Sequence, residues 1–340
     1  MPKSVPWRGA IIGCGFFGRI QLEAWLRIPG VQMVAACDAI RSRAEQAAPC
    51  AYTDPERMLS EQKLDFVDIA TQPNTHLELI QVALRYKLPV ICQKPLAESL
   101  SQAAEIKEMV KTAGGRVMIH ENWRWQPWYR ELQKLLSSGR IGAPITYTFR
   151  IRQRDGLGLE PYPNQPYFRT MPRLLIFETL IHPIDTARFL FGEIETVFAH
   201  ARRYNPGIQG EDRAIVVLSH RGGLDGIVDG HRFLDPDPPG PAMGDTVVEG
   251  EEGSLRVLAT GEIWLGGERL YFPSQQSGYR GDSVLATQQH FLNCLQTGDE
   301  FETSVENYFP SFLATEAAYQ SISTGCRTSL NDLSLKTLRR

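Results

Sequence analysis

The sequence predicts an α/β chain of two domains: a doubly wound parallel sheet over residues 1–122, and an α+β domain with a mostly antiparallel sheet over residues 123–340. Three observations carry this. The 340 residues exceed what one hydrophobic core usually holds. In the first third, short near-continuous apolar runs alternate with helical patterns, as in a parallel sheet covered on both faces. After about Asn122 the runs alternate apolar with polar residues and are joined by turn residues, as in an antiparallel sheet.

The elements follow in order. Gly9 to Cys14 is a first strand ending in glycines, and Phe17 to Ile28 a helix stopped by Pro29-Gly30. Val31 to Cys37, Phe66 to Ala70, Pro89 to Cys92 and Arg116 to Ile119 read as further strands; His76 to Tyr86 and Ser101 to Thr112 are the clearest helices between them. In the second domain a helix over Trp128 to Leu136 precedes a long strand, Ile145 to Arg154, and a Pro/Gly/Tyr-rich loop from Gly156 to Pro172. A helix around His182 to Phe191 stops at Gly192. Strand-like runs over 197–203, 213–219, 224–231, 245–250 and 254–259 follow, interrupted by the loop Asp235 to Pro241. Helical stretches at about 283–296 and 305–323 close the chain.

Composition excludes several classes. Thirty-six basic against 39 acidic residues leave a net charge of −3, so no sequence-wide positive field draws a nucleic acid. No apolar run approaches the roughly 18 residues of a membrane span, and the start of the chain, Met1 to Arg8, lacks the apolar core of a signal peptide. The six cysteines form no CxxC pair and no regular framework, and read as reduced, buried thiols of a cytoplasmic protein.

Gly13-Cys14-Gly15-Phe16-Phe17-Gly18 matches G-x-G-x-x-G. The string is weak alone. Here it follows the first strand and opens the first helix, the Rossmann setting for a dinucleotide. Gly13 and Gly15 permit the tight turn and close approach of a pyrophosphate, and Gly18 lets helix and strand pack closely. The N–H groups of the helix start, around Phe16 and Phe17, then face the phosphates. Asp38, 20 residues after Gly18 at the end of the second strand, suits the adenine-ribose diol. Its charge repels a 2′-phosphate and favours NAD; Arg41 and Arg43 offset part of that repulsion, so NADP is the second choice.

Three further strings, Gln72-Pro73-Asn74-Thr75-His76, Gln93-Lys94-Pro95 and Glu178-Thr179-Leu180-Ile181-His182-Pro183-Ile184-Asp185, join the glycine turn. Together they resemble the glucose–fructose oxidoreductase, inositol dehydrogenase and rhizopine catabolism (Gfo/Idh/MocA) family along essentially the whole chain. The resemblance implies an NAD(P)-dependent dehydrogenase of a secondary alcohol in a sugar, sugar acid or cyclitol. It also implies an open C-terminal sheet that often forms the oligomer interface, hence a homodimer or homotetramer. Thr71, Pro73, Asn74 and His76 are then expected on the nicotinamide side, Gln93 and Lys94 among the cofactor-binding residues, and the nicotinamide in the cleft between domains. Two positions depart from the pattern: Gln93 stands where Glu is usual, and Glu178 where Asp is usual.

Removing a hydride from an alcohol carbon requires that the hydroxyl proton leave as the carbonyl forms. Lys94, at the C-terminal end of a parallel strand, is placed where doubly wound folds hold ligands. A partly desolvated ammonium there, beside an oxidised nicotinamide, gives up its proton readily. His182 stands near a helix N-terminus, which disfavours the imidazolium and leaves the ring an acceptor. Lys94 and His182 are read as a coupled pair, with Glu178 orienting them or holding a neighbouring hydroxyl. Asp185 binds substrate or caps the segment. Arg124, Arg169 and Arg173 are read as a carboxylate clamp, or as partners of the chain's own acids; Trp125 stacks on a sugar or packs between domains. Glu178 and His182 lack a third ligand, so no metal is expected. Two other functions stay open: a dinucleotide-binding regulator without catalysis, and a redox-neutral oxidoisomerase with tightly held cofactor.

Overall fold

The computed structural model describes residues 6–274 and 278–337; the signal-peptide reading at Met1–Val5 lies outside them. Two compact units are present, one of Met1–Asn122 with Asp282–Phe309, the other of Trp123–Gly281 with Pro310–Arg340.

The first unit is built from β1 (Trp7–Ile12), α1 (Phe16–Leu26), β2 (Val31–Cys37), α2 (Arg41–Ala47), β3 (Cys50–Tyr52), α3 (Pro55–Glu61), β4 (Phe66–Ile69), α4 (His76–Arg85), β5 (Val90–Gln93), α5 (Leu100–Ala113) and β6 (Val117–His120). Its six strands run in the order β3-β2-β1-β4-β5-β6, every neighbouring pair parallel. This is the doubly wound arrangement, whose order reverses between β1 and β4. The switch point puts the glycine turn after β1 beside the loop after β4. The sequence left 39–65 unassigned, because α2, β3 and α3 are too short to show a period. Asp54 still marks α3 as an N-cap, its carboxylate accepting the N–H groups of Glu56 and Arg57 ahead of Pro55 in the first turn.

The second unit contains α6 (Pro127–Ser137), β7 (Pro144–Arg152), a π-helical turn over Leu175–Leu180, α7 (Ile181–Phe191) and strands β8 (Ile194–Arg202), β9 (Arg213–His220), β10 (Asp225–His231), β11 (Gly244–Gly250), β12 (Gly253–Val257), β13 (Ile263–Leu265) and β14 (Glu268–Tyr271). With β15 (Thr328–Ser329) they form a nine-stranded sheet, antiparallel except for the β7–β10 pair. Ala214, Val216 and Leu218 of β9 point into the core, while Ile215 and Val217 alternate outward.

Where the sequence read 123–340 as one stretch, α8 (Ser283–Thr297) returns to the first unit. The reason is apolar: Phe291 packs against Trp25, Phe66 and Phe301. Beyond it, Thr303 covers the edge strand β6, its carbonyl taking the Ile119 N–H and its hydroxyl donating back to the Ile119 carbonyl. Of the six cysteines, all unbridged, Cys14, Cys37, Cys92 and Cys294 are buried. Cys50 is half-buried and Cys326 exposed, correcting the reading of all six as buried.

Candidate active site

In the first unit, Gly13 has φ +95° and donates its N–H to the Cys37 carbonyl at 2.8 Å. A Cβ on Gly18 would lie 2.0 Å from the Gly13 carbonyl oxygen, so α1 can approach β1 only with glycine there. Above Gly15 the space is open, with nothing within 4 Å of a would-be Cβ. Phe16 and Phe17 begin α1 half-buried, the ring of Phe17 edge-on to His120. Asp38 follows β2, its carboxylate held by the N–H groups of Cys14 and Ile40, both at 2.8 Å. An open glycine cradle beside a half-buried carboxylate fits a dinucleotide's pyrophosphate and ribose diol.

Thr71 and the turn Pro73–Thr75 follow β4, with Asn74 exposed. His76, expected on the nicotinamide side, is fully buried, its two ring nitrogens each 3.2 Å from a carbonyl, of Leu96 and Thr71, one of which takes the neutral ring's N–H. Burial lowers its pKa, against the pull of those carbonyls. It ties the Thr71 loop to the turn after Lys94. Lys94 itself is 8% exposed, directly after β5, and its N–H donates to Gln93 Oε1 at 2.7 Å. Gln93 turns inward, its side-chain oxygen accepting from the Lys94 N–H and its NH2 donating to Gln21.

In the second unit, Glu178 sits in the π-helical turn, which runs directly into α7; His182, the second residue of α7, therefore follows a helical turn rather than standing at a free helix N-terminus as expected. His182 stacks on Trp123 with centroids 5.0 Å apart and planes within 6°. Glu178 Oε2 accepts the Thr179 hydroxyl at 2.9 Å and lies 3.8 Å from an Arg232 nitrogen. Arg232, buried, also grips Asp155 and donates to Thr179 Oγ1 at 2.9 Å.

The family profile described as "Oxidoreductase family, NAD-binding Rossmann fold" matches residues 7–121, and the GFO/IDH/MocA C-terminal domain matches 129–256. D-apiose dehydrogenases are similar: that of Paraburkholderia graminis is 37% identical over 266 residues, covering 74% of this chain and 68% of its own. That of Rhizobium rhizogenes is 35% identical over 257 residues, covering 74% and 73%. An oxidoreductase from Agrobacterium radiobacter, solved with NAD+, L-tartaric acid and magnesium, superposes with a TM-score of 0.89 at 32% identity, covering 97% of this chain and 100% of that one.

The chain belongs to the Gfo/Idh/MocA oxidoreductase family. It is an NAD-dependent dehydrogenase with that family's Rossmann domain. Several residues considered for substrate binding make their contacts within the chain. Arg124 and Asp185 form a buried bidentate pair at 2.8 and 2.7 Å, and Ser311 donates to the same carboxylate at 2.7 Å. Burial pushes the Asp185 carboxyl up, but Arg124, with Arg188 and Ser311, outweighs this and holds it below its ordinary value. Arg173 pairs with Glu316 at 2.6 Å over the Phe177 ring, and Arg169 donates to the Pro161 carbonyl. The guanidinium of Arg130 lies 3.5 Å from the Trp125 ring centroid. The three arginines thus take the alternative, pairing within the chain. Trp123 and Arg232 are the residues missed. Trp123 stood inside an aromatic-rich segment with nothing to single it out, and Arg232 meets Asp155 across 77 positions with no motif at either end.

Among the described residues no group of three or more His, Cys, Asp or Glu is placed to hold a metal ion, and no helix is long and apolar enough to cross a membrane.

Proposed function

We propose that this family member oxidises a secondary hydroxyl of a neutral sugar or cyclitol, with sugars of the apiose class foremost. One observation carries the neutral preference: Arg124, Arg169 and Arg173, the candidates for gripping a carboxylate, are each engaged within the chain. The names of the two D-apiose dehydrogenases support the same class.

Bound NAD supplies the hydride acceptor. Gly13, Gly15, Phe16, Phe17 and Gly18 would hold its pyrophosphate, Asp38 its ribose, and Thr71, Pro73 and Asn74 its nicotinamide side. Lys94 removes or relays the hydroxyl proton and polarises the oxygen, its backbone anchored by Gln93. His182 shares that task, its ring plane held by the Trp123 stack. Glu178, beside Arg232, orients a neighbouring hydroxyl.

We place the protein in the cytoplasm as a homodimer or homotetramer, with neither nucleic acid nor membrane as partner. The outer face of the nine-stranded sheet supports self-association: Phe198, Val217, Ile227, Thr148 and Val247 align in one register row across five strands. The deciding experiment follows NADH formation over apiose, other aldoses, inositols, aldonates and tartrate. Turnover of acids above the matching neutral sugars overturns the neutral preference. NAD binding with no turnover across the panel makes the chain a regulator instead.

A further inference from the structure

Beneath Lys94 lies a chain of buried polar side chains for which the proposed proton transfer has no use. Asp68, in the middle of β4 and fully buried, accepts the Trp25 indole N–H at 2.6 Å and the Gln21 amide N–H at 2.8 and 3.1 Å. Gln21 Oε1 accepts from Gln93 Nε2 at 3.3 Å, and Gln93 Oε1 accepts the Lys94 N–H at 2.7 Å. Gln21 is fully buried and Gln93 6% exposed, so a mismatched amide there has no water to turn to.

The chain has a direction. An ionised carboxylate only accepts, so Gln21 must turn its NH2 toward Asp68 and its oxygen away. That oxygen obliges Gln93 to present its own NH2, which leaves the Gln93 oxygen for the Lys94 N–H. Each amide is oriented by the one before it. From this we infer that Asp68, Gln21 and Gln93 are positioning residues, a relay of hydrogen-bond polarity that fixes the Lys94 peptide and so aims its side chain. The inference rests on the reading of Lys94 as the proton-transfer group.

The polarity argument makes an unusual demand on variants. Asp68→Asn brings an NH2 group against donors, and the mismatch is met either at position 68 or, after both amides flip, at the Lys94 N–H. Gln93→Glu opposes an acceptor to the Gln21 oxygen. Each single change therefore leaves one mismatched pair. Together they leave none. In the double variant the new amide at position 68 donates to a flipped Gln21, Gln21 donates to the new carboxylate at position 93, and that carboxylate accepts the Lys94 N–H. The amide oxygen at position 68 still accepts from Trp25. The relay runs in reverse and delivers the same acceptor to Lys94.

The test measures kcat, KM, NAD affinity and melting temperature at alkaline pH for both single variants and the double. Each single variant is expected to lose about tenfold or more in kcat, with NAD affinity within about twofold; the double is expected to recover to within about threefold of the parent. Should a single variant fail to fold, Gln93→Met removes the acceptor of Lys94 while leaving the Asp68–Gln21–Trp25 contacts, and predicts the same selective loss of kcat. Singles that lower the melting temperature while keeping kcat overturn the relay, as does a double variant no better than the worse single. Lys94→Met separates the two ideas. Near-normal turnover in that variant removes the reading of Lys94 and the relay with it. Lost turnover there, with kcat intact in the single variants, removes the relay alone.

Discussion

Removing the Asp185 carboxylate tests whether Arg124 belongs to the fold or to the substrate. The Asp185 side chain is fully buried and that of Arg124 only 8% exposed, joined by two short hydrogen bonds. Asp185→Ala takes the carboxylate from a guanidinium nearly closed to water and the acceptor from Ser311, whose hydroxyl oxygen also receives Arg188 at 2.8 Å. Breaking one partner of a buried pair costs about 3–5 kcal/mol. For a cooperative unit of roughly 200 residues each kcal/mol moves the melting temperature by about 2–4 °C, so the fall should be about 6–20 °C. Arg124→Met should cost a similar amount and add a pH signature. In the parent the Asp185 pKa is lowered, so its stabilisation is present above the unfolded value and lost as pH falls through the folded one. Without Arg124 burial raises that pKa, and the variant should regain stability on acidification. Replacing both partners, Arg124→Met with Asp185→Leu, should be nearly neutral because no charge is left behind. Thermal melts and steady-state kinetics on the same samples decide. A shift below about 2 °C for Asp185→Ala, with KM raised about tenfold, would put the pair at the substrate and refute the structural assignment.

Asp38→Ser should weaken NAD binding by about 10- to 100-fold and strengthen NADP binding, since the carboxylate that takes the diol also repels a 2′-phosphate; an unchanged preference in fluorescence titrations removes Asp38 from the ribose. Gly18→Ala forces a methyl to 2.0 Å from the Gly13 oxygen and should cost at least about tenfold in NAD affinity by the same titration, whereas intact affinity means the turn tolerates reshaping. Burial raises the Asp68 carboxyl pKa to about 7, with the donors Trp25 and Gln21 pulling the other way. The folded state then holds a proton the unfolded chain has lost, so the melting temperature of the parent relative to Asp68→Asn should fall as pH rises from about 4 to 7; a constant difference over that window contradicts it.

Local signals were the legible part. Gly13, Gly15 and Gly18 do their work within six residues, and Asp38 lies one strand away, so turn, strand and carboxylate announce themselves together. The strands β1, β2, β4, β5 and β6 are near-continuous apolar runs for the same reason that they are buried on both faces. Pairings over long separations were not legible. Whether Arg124 meets a substrate carboxylate or Asp185 depends on how the segment 123–125 packs against α7, which no periodicity records. Arg232 is invisible for the same reason, and the return of α8 to the first unit is decided by the aromatic partners of Phe291. The QPNTH motif marks His76 but not the burial of its ring, because a motif carries position and not the direction of a side chain.

The two fully buried carboxylates divide the labour by the charge of what surrounds them. Asp185 faces a guanidinium, which offsets desolvation and keeps it ionised; the pair joins α7 to the segment that carries Trp123, against which His182 stacks. Asp68 faces the neutral donors Trp25 and Gln21 of α1, which favour the anion but do not cancel the cost of burying it. A scaffold would be better served by the first arrangement. The second is costly, and a cost of that kind persists where the direction of hydrogen bonds matters more than their number. Once ionised, above about pH 7, Asp68 is an acceptor-only group at the root of the amide chain, the simplest means of forcing every amide above it into one orientation. Replacing Asp68 by an apolar residue would relieve the burial cost but leave Gln21 free to flip, and the last acceptor, under Lys94, would no longer be assured.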